Sequence, residues 1–225
     1  MNCAIITGMK QQMIPSAILF DLDGTILDSE PIIIQSWKRA HNQTSPDVEW
    51  NENKLLTMMG QPAEDIPYGM GVPEELHQKY LDIFDQQLIN IRIPLFEDVR
   101  PVLETLKEKS IPLGIVTGAK TGETLDLLIQ NGIDHFFTEI IGADLTERGK
   151  PYPDPINLAV ERLKLNSRKK DIWFVGDSHN DLVSAQAAGV TPLLLWRKDN
   201  EIPRNMHQTG VIVIPGFAQL LELIK

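Results

Sequence analysis

The chain has 225 residues, 42% of them hydrophobic, and a formal net charge of -10. That suffices for one large domain, or one domain with a smaller insertion, while the acidic balance and the lack of a basic stripe count against a nucleic-acid binder. No apolar run approaches the ~18 to 20 residues of a membrane span, and the single cysteine, Cys3, offers neither a disulfide framework nor a thiolate metal cluster.

In chain order, the start "MNCAIITGMKQQMIPS" has an apolar patch but no basic residue before it, a poor signal peptide. Residues 1–13 are expected to be a loose extension, with Met13 an equally natural start, and the protein is expected in the cytoplasm. Strand-sized apolar runs follow: "AILF" (17–20), "LGIV" (113–116), "EIIG" (139–142), "IWFV" (172–175), "LLLW" (193–196) and "VIVI" (211–214). Several lack alternation, as strands buried on both faces should. Between them lie amphipathic stretches. Val99, Val102, Leu103 and Leu106 recur at helical spacing, with Pro101 in the first turn. Leu125, Leu128 and Ile129 form a stripe that stops before Asn131-Gly132, and the alanine-rich stretch 181–188 ends at Gly189. The basic "RKK" at 168–170 reads as a solvated helix-to-strand turn. Strand alternating with helix predicts an α/β fold, a Rossmann-like parallel sheet with helices on both faces.

The interval from Ser29 to Pro94 has no convincing buried strand. Its helical stretches, "PIIIQSWKRAH" and "PEELHQKYLDIFDQQLI", are broken by "MMGQPAEDIPYGMGVP". About 65 residues is too long for a loop. The expected division is a catalytic core of 14–29 and 95–225 with a small inserted α-helical cap domain, 30–94; helices packed directly on the sheet are the alternative.

Chemistry-bearing residues follow the core strands. Asp21 and Asp23 follow the first, Thr117 the second, Lys150 lies beyond the third, and Asp177 and Asp181 follow the fourth. In an open parallel sheet the ligand site lies outside the carboxyl ends of the strands, so these residues converge there. Competing motifs fail on spacing. A calcium loop needs glycine at its sixth position, where Ile26 stands. "GADLTERGKP" has too many residues between its glycines for a P-loop. The five histidines, His41, His77, His135, His179 and His207, are scattered, unlike a zinc hydrolase. His179 lies in a site loop, with a passive role the plainer reading. Carboxylates form a hard-oxygen site that selects Mg²⁺. Magnesium with a lysine and a threonine hydroxyl makes a phosphate clamp. Within it one carboxylate can attack phosphorus while a second carries protons, and Asp21 and Asp23 are the candidates.

These segments resemble the haloacid dehalogenase superfamily in its phosphatase branch: "DLDGT" at 21–25, "VTG" around Thr117, "GKPYPDP" around Lys150 and "GDSHND" at 176–181. The resemblance spans about residues 14 to 225, and the first and last motifs together are the specific ones. It implies a helical cap after the first motif, Asp21 as nucleophile and Asp23 as general acid/base. It further implies Mg²⁺ held by the Asp21 carboxylate, the Asp23 backbone carbonyl and Asp177, with Asp181 supporting the site through water and Lys150 or as a ligand. Thr117, Gly118 and Lys150 would bind phosphate, with Gly118 standing where many relatives carry asparagine. An aspartate at position 23 disfavours dehalogenase and phosphonate-cleaving chemistry.

The branch resembles phosphoglycolate phosphatases, sugar-phosphate phosphatases and β-phosphoglucomutase. Glu30, in "DSEP", either meets substrate hydroxyls or only opens a helix, with Asp28 or Ser29 as cap. Gly60 and Gln61, in "MMGQPAED", are candidate cap residues facing the substrate, against a plain interhelical turn. The expected function is Mg²⁺-dependent hydrolysis of a small soluble phosphate monoester through an aspartyl-phosphate, by a monomer or homodimer without nucleic-acid or membrane partners. A sugar phosphomutase is the alternative within the class, and a phospho-accepting or non-catalytic binding protein the alternative outside it.

Overall fold

Six apolar runs become one wholly parallel sheet, ordered β3-β2-β1-β4-β5-β6. A computed structural model describes residues 14–59, 63–88, 91–198, 201–207 and 210–224; the expected extension, residues 1–13, lies outside them. The chain runs β1 (Ala17–Phe20), α1 (Glu30–Thr44), α2 (Glu52–Met58), α3 (Asp65–Gly69), α4 (His77–Leu88), α5 (Val99–Glu108), β2 (Leu113–Val116), α6 (Thr121–Gln130), β3 (Glu139–Ile141), α7 (Asp154–Arg162), β4 (Ile172–Gly176), α8 (His179–Ala188), β5 (Thr191–Leu195), β6 (Ile212–Ile214) and α9 (Phe217–Leu223). Two compact units result, one running through Asp28 and resuming at Pro94, the other Ser29–Ile93.

In the first unit, β1, β2 and β4 are buried along their whole length. Successive side chains alternate between faces. Ala17 and Leu19 of β1 join Ile172 and Phe174 of β4 in a core against α7 and α8, through Ile156, Ala159, Val160 and Ala185. On the other face Phe20 stacks on Phe217 of α9 at 5.3 Å, and α9 packs with α5. Helices therefore cover both faces, the arrangement that apolar strands without alternation require. β5 starts earlier than its apolar run, at Thr191, and ends before Trp196.

The helix spacings work at α5, whose Val99, Val102, Leu103 and Leu106 are all buried. They hold only in part at α6: Leu128 of the stripe is buried, but Leu125 and Ile129 are 40% and 54% exposed, and Thr124 faces inward with Leu128. Polar anchors hold its two ends. Asp144 Oδ1 accepts the Thr121 N–H at 2.7 Å and its hydroxyl at 2.8 Å at the helix start. Arg100 donates to the Asn131 and Gly132 carbonyls at its end. These bonds satisfy polar groups at both ends of the helix. α8 stops where read, at Gly189 in the left-handed region (φ 77°).

The Ser29–Ile93 unit is helical among its described residues and is built on aromatic stacking. Trp37 of α1 lies 3.5 Å from the Phe84 ring and 5.5 Å from the Tyr80 ring, both on α4. Leu55, Ile66, Met70 and Val72 close this core. Buried His41 lies 2.8 Å through Nε2 from the Val48 carbonyl. Trp37→Ala is expected to destabilise the protein by about 3–5 kcal/mol in urea unfolding, the usual cost of removing a buried large aromatic; a change below about 1 kcal/mol would contradict this account of the unit's core.

Candidate active site

The strand order reverses between β1 and β4, which opens a crevice at their carboxyl ends. Asp21 follows β1 directly, and its N–H donates to the Val175 carbonyl at 2.9 Å. Strand pairing thus continues one residue further and fixes the Asp21 backbone. Asp177 follows β4, and Asp181 stands in the first turn of α8. Lys150 comes from the loop between β3 and α7. Its Nζ donates to Asp21 Oδ1 at 2.5 Å and to Asp181 Oδ1 at 2.6 Å. One carboxylate oxygen from each of Asp21, Asp177 and Asp181 lies within 4.8 Å of the others. Asp21 is 7% exposed and Asp181 fully buried.

This arrangement gathers three carboxylates around one ammonium. Burial raises the Asp21 carboxyl to about 7; Lys150 opposes that shift, while Asp181 and Asp23 add to it. Asp177 is pushed well above the carboxylate range by burial, then by Asp181 and Asp21. Burial works against the Lys150 ammonium, but Asp181 and Asp21 outweigh it and hold the lysine protonated. Negative charge is in excess and the donors are all oxygens. That donor set suits a hard divalent cation such as Mg²⁺.

Several local devices hold the groups in place. Asp181 Oδ2 accepts the Ser178 N–H at 3.0 Å and its hydroxyl at 2.6 Å, while Ser178 Oγ accepts the Asp181 N–H at 3.2 Å. This capping box occupies one Asp181 oxygen, and Lys150 takes the other. Gly24 adopts φ +73°, and a Cβ there would approach Asp177 Cγ to 2.8 Å. A Cβ on Gly176 would run into the Asp181 side chain. The Lys150 loop is tied down where the Ser184 hydroxyl donates to the Tyr152 carbonyl at 2.7 Å and Arg148 forks onto Asp154. Ser178, Gly176 and Gly24 fall inside the motifs "GDSHND" and "DLDGT" but carry no role of their own in the sequence. The S-x-x-D spacing of 178–181 is the signal that points to the first.

Thr117 follows β2, is 4% exposed, and donates its N–H to the Ile141 carbonyl at 3.0 Å. Its Oγ1 accepts the Ala119 N–H at 3.1 Å, which leaves the hydroxyl proton to donate elsewhere. Gly118 is exposed, with open space where a side chain would project. Asp23 is half-buried in the turn after β1, and its carboxylate is not one of the close trio. His179, the first residue of α8, is half-buried, and its Nδ1 has no hydrogen-bond partner. Glu30 is the first residue of α1, in the Ser29–Ile93 unit, with Pro31 in the same turn; Ser29 makes no side-chain cap bond. Gly60 and Gln61 lie outside the described residues.

Residues 18–194 match the family model described as haloacid dehalogenase-like hydrolase. Pyrophosphatase PpaX of Oceanobacillus iheyensis is 31% identical over 87% of this chain and 91% of its own length. Phosphoglycolate phosphatase of Yersinia pestis is 32% identical over 92% of both chains. Among solved structures, a predicted phosphoglycolate phosphatase from Haemophilus somnus superposes with a TM-score of 0.81, at 26% identity over 96% of this chain and 99% of that one.

The charge excess makes a testable pH dependence. The Asp21 carboxyl sits at about 7 in the fold against an ordinary 3.8. The folded state therefore binds the extra proton, and this group's stabilising share is full below the unfolded value and lost as pH rises through about 7. In chelator, Asp21→Asn, which mimics the neutral acid, is expected to melt above the parent at about pH 8, with an advantage that shrinks as the pH falls. Thermal melts of both proteins across that range check it; a variant less stable than the parent throughout would contradict it.

Proposed function

The chain belongs to the haloacid dehalogenase-like hydrolase family, and within it we propose a Mg²⁺-dependent phosphatase of small phosphate monoesters, phosphoglycolate-like or sugar phosphates, working through an aspartyl-phosphate. The observation that carries this reading is Lys150 donating to both Asp21 and Asp181 in a buried cluster that Asp177 completes. The relatives named for phosphoglycolate and pyrophosphate hydrolysis support it.

In this reading Asp21 and Asp177 would hold the metal together with the Asp23 backbone carbonyl, with Asp181 supporting the site through water and Lys150 or as a ligand, and the cation would supply charge neutralisation at the phosphoryl oxygens and favour the ionised form of Asp21. Lys150 adds a fixed positive charge beside the same oxygens. The Thr117 hydroxyl and the Gly118 backbone orient the phosphoryl group. One Asp21 carboxylate oxygen attacks phosphorus while the ester P–O bond breaks, and Asp23 delivers its proton to the leaving oxygen. Asp23, now a carboxylate, takes a proton from water as that water's oxygen attacks the same phosphorus. Phosphate leaves, and the Asp21 carboxylate is regenerated. Substrate choice is assigned to the helical Ser29–Ile93 unit, with Glu30, Gly60 and Gln61 as its candidate residues. A hydrolase with Asp23 as acid/base turns over repeatedly and needs no bisphosphate to reload it, which separates it from a mutase.

A panel of phosphoglycolate, hexose and pentose phosphates, nucleotides and pyrophosphate, assayed with Mg²⁺, is expected to release free phosphate from at least one compound over many turnovers. Asp21→Asn and chelator should each abolish release. Asp23→Asn should lower kcat by about 10²- to 10⁴-fold, the usual worth of acid/base assistance. Isomerised sugar phosphate without free phosphate would overturn the hydrolase in favour of the mutase.

A further inference from the structure

The loop after β5 carries a cluster that the proposed chemistry leaves unused. Arg197 forks onto Asp98: Nη1 donates to Oδ2 at 3.0 Å and Nη2 to Oδ1 at 2.8 Å. The guanidinium lies 4.1 Å over the Phe96 ring and 5.6 Å from the Phe217 ring. Asp98 Oδ2 also accepts the Phe217 N–H at 2.8 Å. The two charged side chains are only 20% and 30% exposed. A bidentate, stacked, partly buried pair holds its geometry better than an ordinary surface ion pair.

This cluster connects to the turn that carries Asp23. Phe96 donates its N–H to the Ile26 carbonyl at 3.2 Å, Leu95 pairs with Leu27, and Asp28 donates its N–H to the Pro94 carbonyl at 2.9 Å. Residues 94–96 thus lie antiparallel to 26–28. The turn itself is closed by the Ile26 and Leu27 N–H groups on the Leu22 carbonyl, at 2.8 and 2.9 Å, and by the Gly24 N–H on the Leu27 carbonyl at 2.9 Å. Asp23 sits inside it. Asp21, by contrast, is fixed independently by pairing to β4 and by Lys150.

We propose that Arg197 is a positioning residue for Asp23. Its fork on Asp98 and its stack on Phe96 hold segment 94–98 against turn 22–27, and so set where Asp23 presents its proton to the leaving group. This rests on the reading of Asp23 as the general acid. Proton transfer needs hydrogen-bond reach, and a displacement of about 1 Å can cost about 10²-fold in rate. Because Asp21 has its own anchors, loss of Arg197 should harm the proton transfer more than the attack on phosphorus.

Leaving-group dependence separates the two steps. Arg197→Met keeps most of the side-chain bulk and removes the fork. Its kcat/KM and kcat are compared with the parent's on two substrates: an alkyl phosphate, whose alkoxide needs a proton to leave, and a nitrophenyl phosphate, whose phenolate does not. The expected result is a loss of about 10²-fold on the alkyl phosphate, carried by kcat, with the aryl phosphate within about 3-fold of the parent. An equal loss on both, or no loss on either, overturns the proposal. Asp23→Asn run alongside sets the standard. If it lacks the same selectivity, Asp23 is not the acid and the underlying reading falls together with this inference. If it shows the selectivity and Arg197→Met does not, only the inference falls. Should the methionine variant fail to fold by circular dichroism, Arg197→Lys, which keeps charge and stem without the planar fork, carries the same comparison.

Discussion

One buried ammonium, Lys150, shared between Asp21 and Asp181, is the interaction on which the carboxyl edge of the sheet depends. Isolated buried carboxylates neutralise themselves or are excluded from interiors. The lysine offsets part of that cost; the rest appears as the raised carboxyls of Asp21 and Asp177, which take up protons when no cation is bound. The excess of acidic groups over the one ammonium is built into the fold. It costs stability in the absence of a cation, and it is the electrostatic condition for binding a cation and the anionic group it neutralises.

Much of the surrounding structure keeps that cluster from relaxing. The capping box at Ser178 orients Asp181 so that one oxygen points to Lys150 while the other closes the start of α8. Gly24 and Gly176 leave room for Asp177 and Asp181 where any side chain would displace them. The bond from the Ser184 hydroxyl to the Tyr152 carbonyl ties the lysine loop to α8, so the lysine and Asp181 are referenced to the same helix. Preorganisation of this kind gives a polar cluster its catalytic worth, because little has to move when charge develops.

The core strands were legible because burial on both faces leaves unbroken apolar runs; "AILF" and "LGIV" coincide with β1 and β2. The family was legible from four short motifs, and residues 18–194 match it. The strand-end rule also leads to Asp21, Lys150, Asp177 and Asp181, which the structure brings together. What could not be read depends on contacts distant in sequence. Asp144 and Arg100 anchor the two ends of α6, and of its apparent stripe of Leu125, Leu128 and Ile129 only Leu128 is buried. The pairing of Arg197 with Asp98 joins residues about a hundred positions apart, with no local pattern to announce it. For Glu30 the sequence allowed two readings; the structure displays the helix start, and a substrate role rests on proposal.

Asp21 is the proposed nucleophile that accepts the phosphoryl group inside this charged cluster. Rapid quenching of a reaction with phosphorus-labelled substrate, followed by peptide mapping, tests this role most directly. The account predicts a transient, hydroxylamine-sensitive label on the peptide containing Asp21, and none in Asp21→Asn. Steady release of labelled phosphate with the label never on that peptide, or on a different residue, would contradict it.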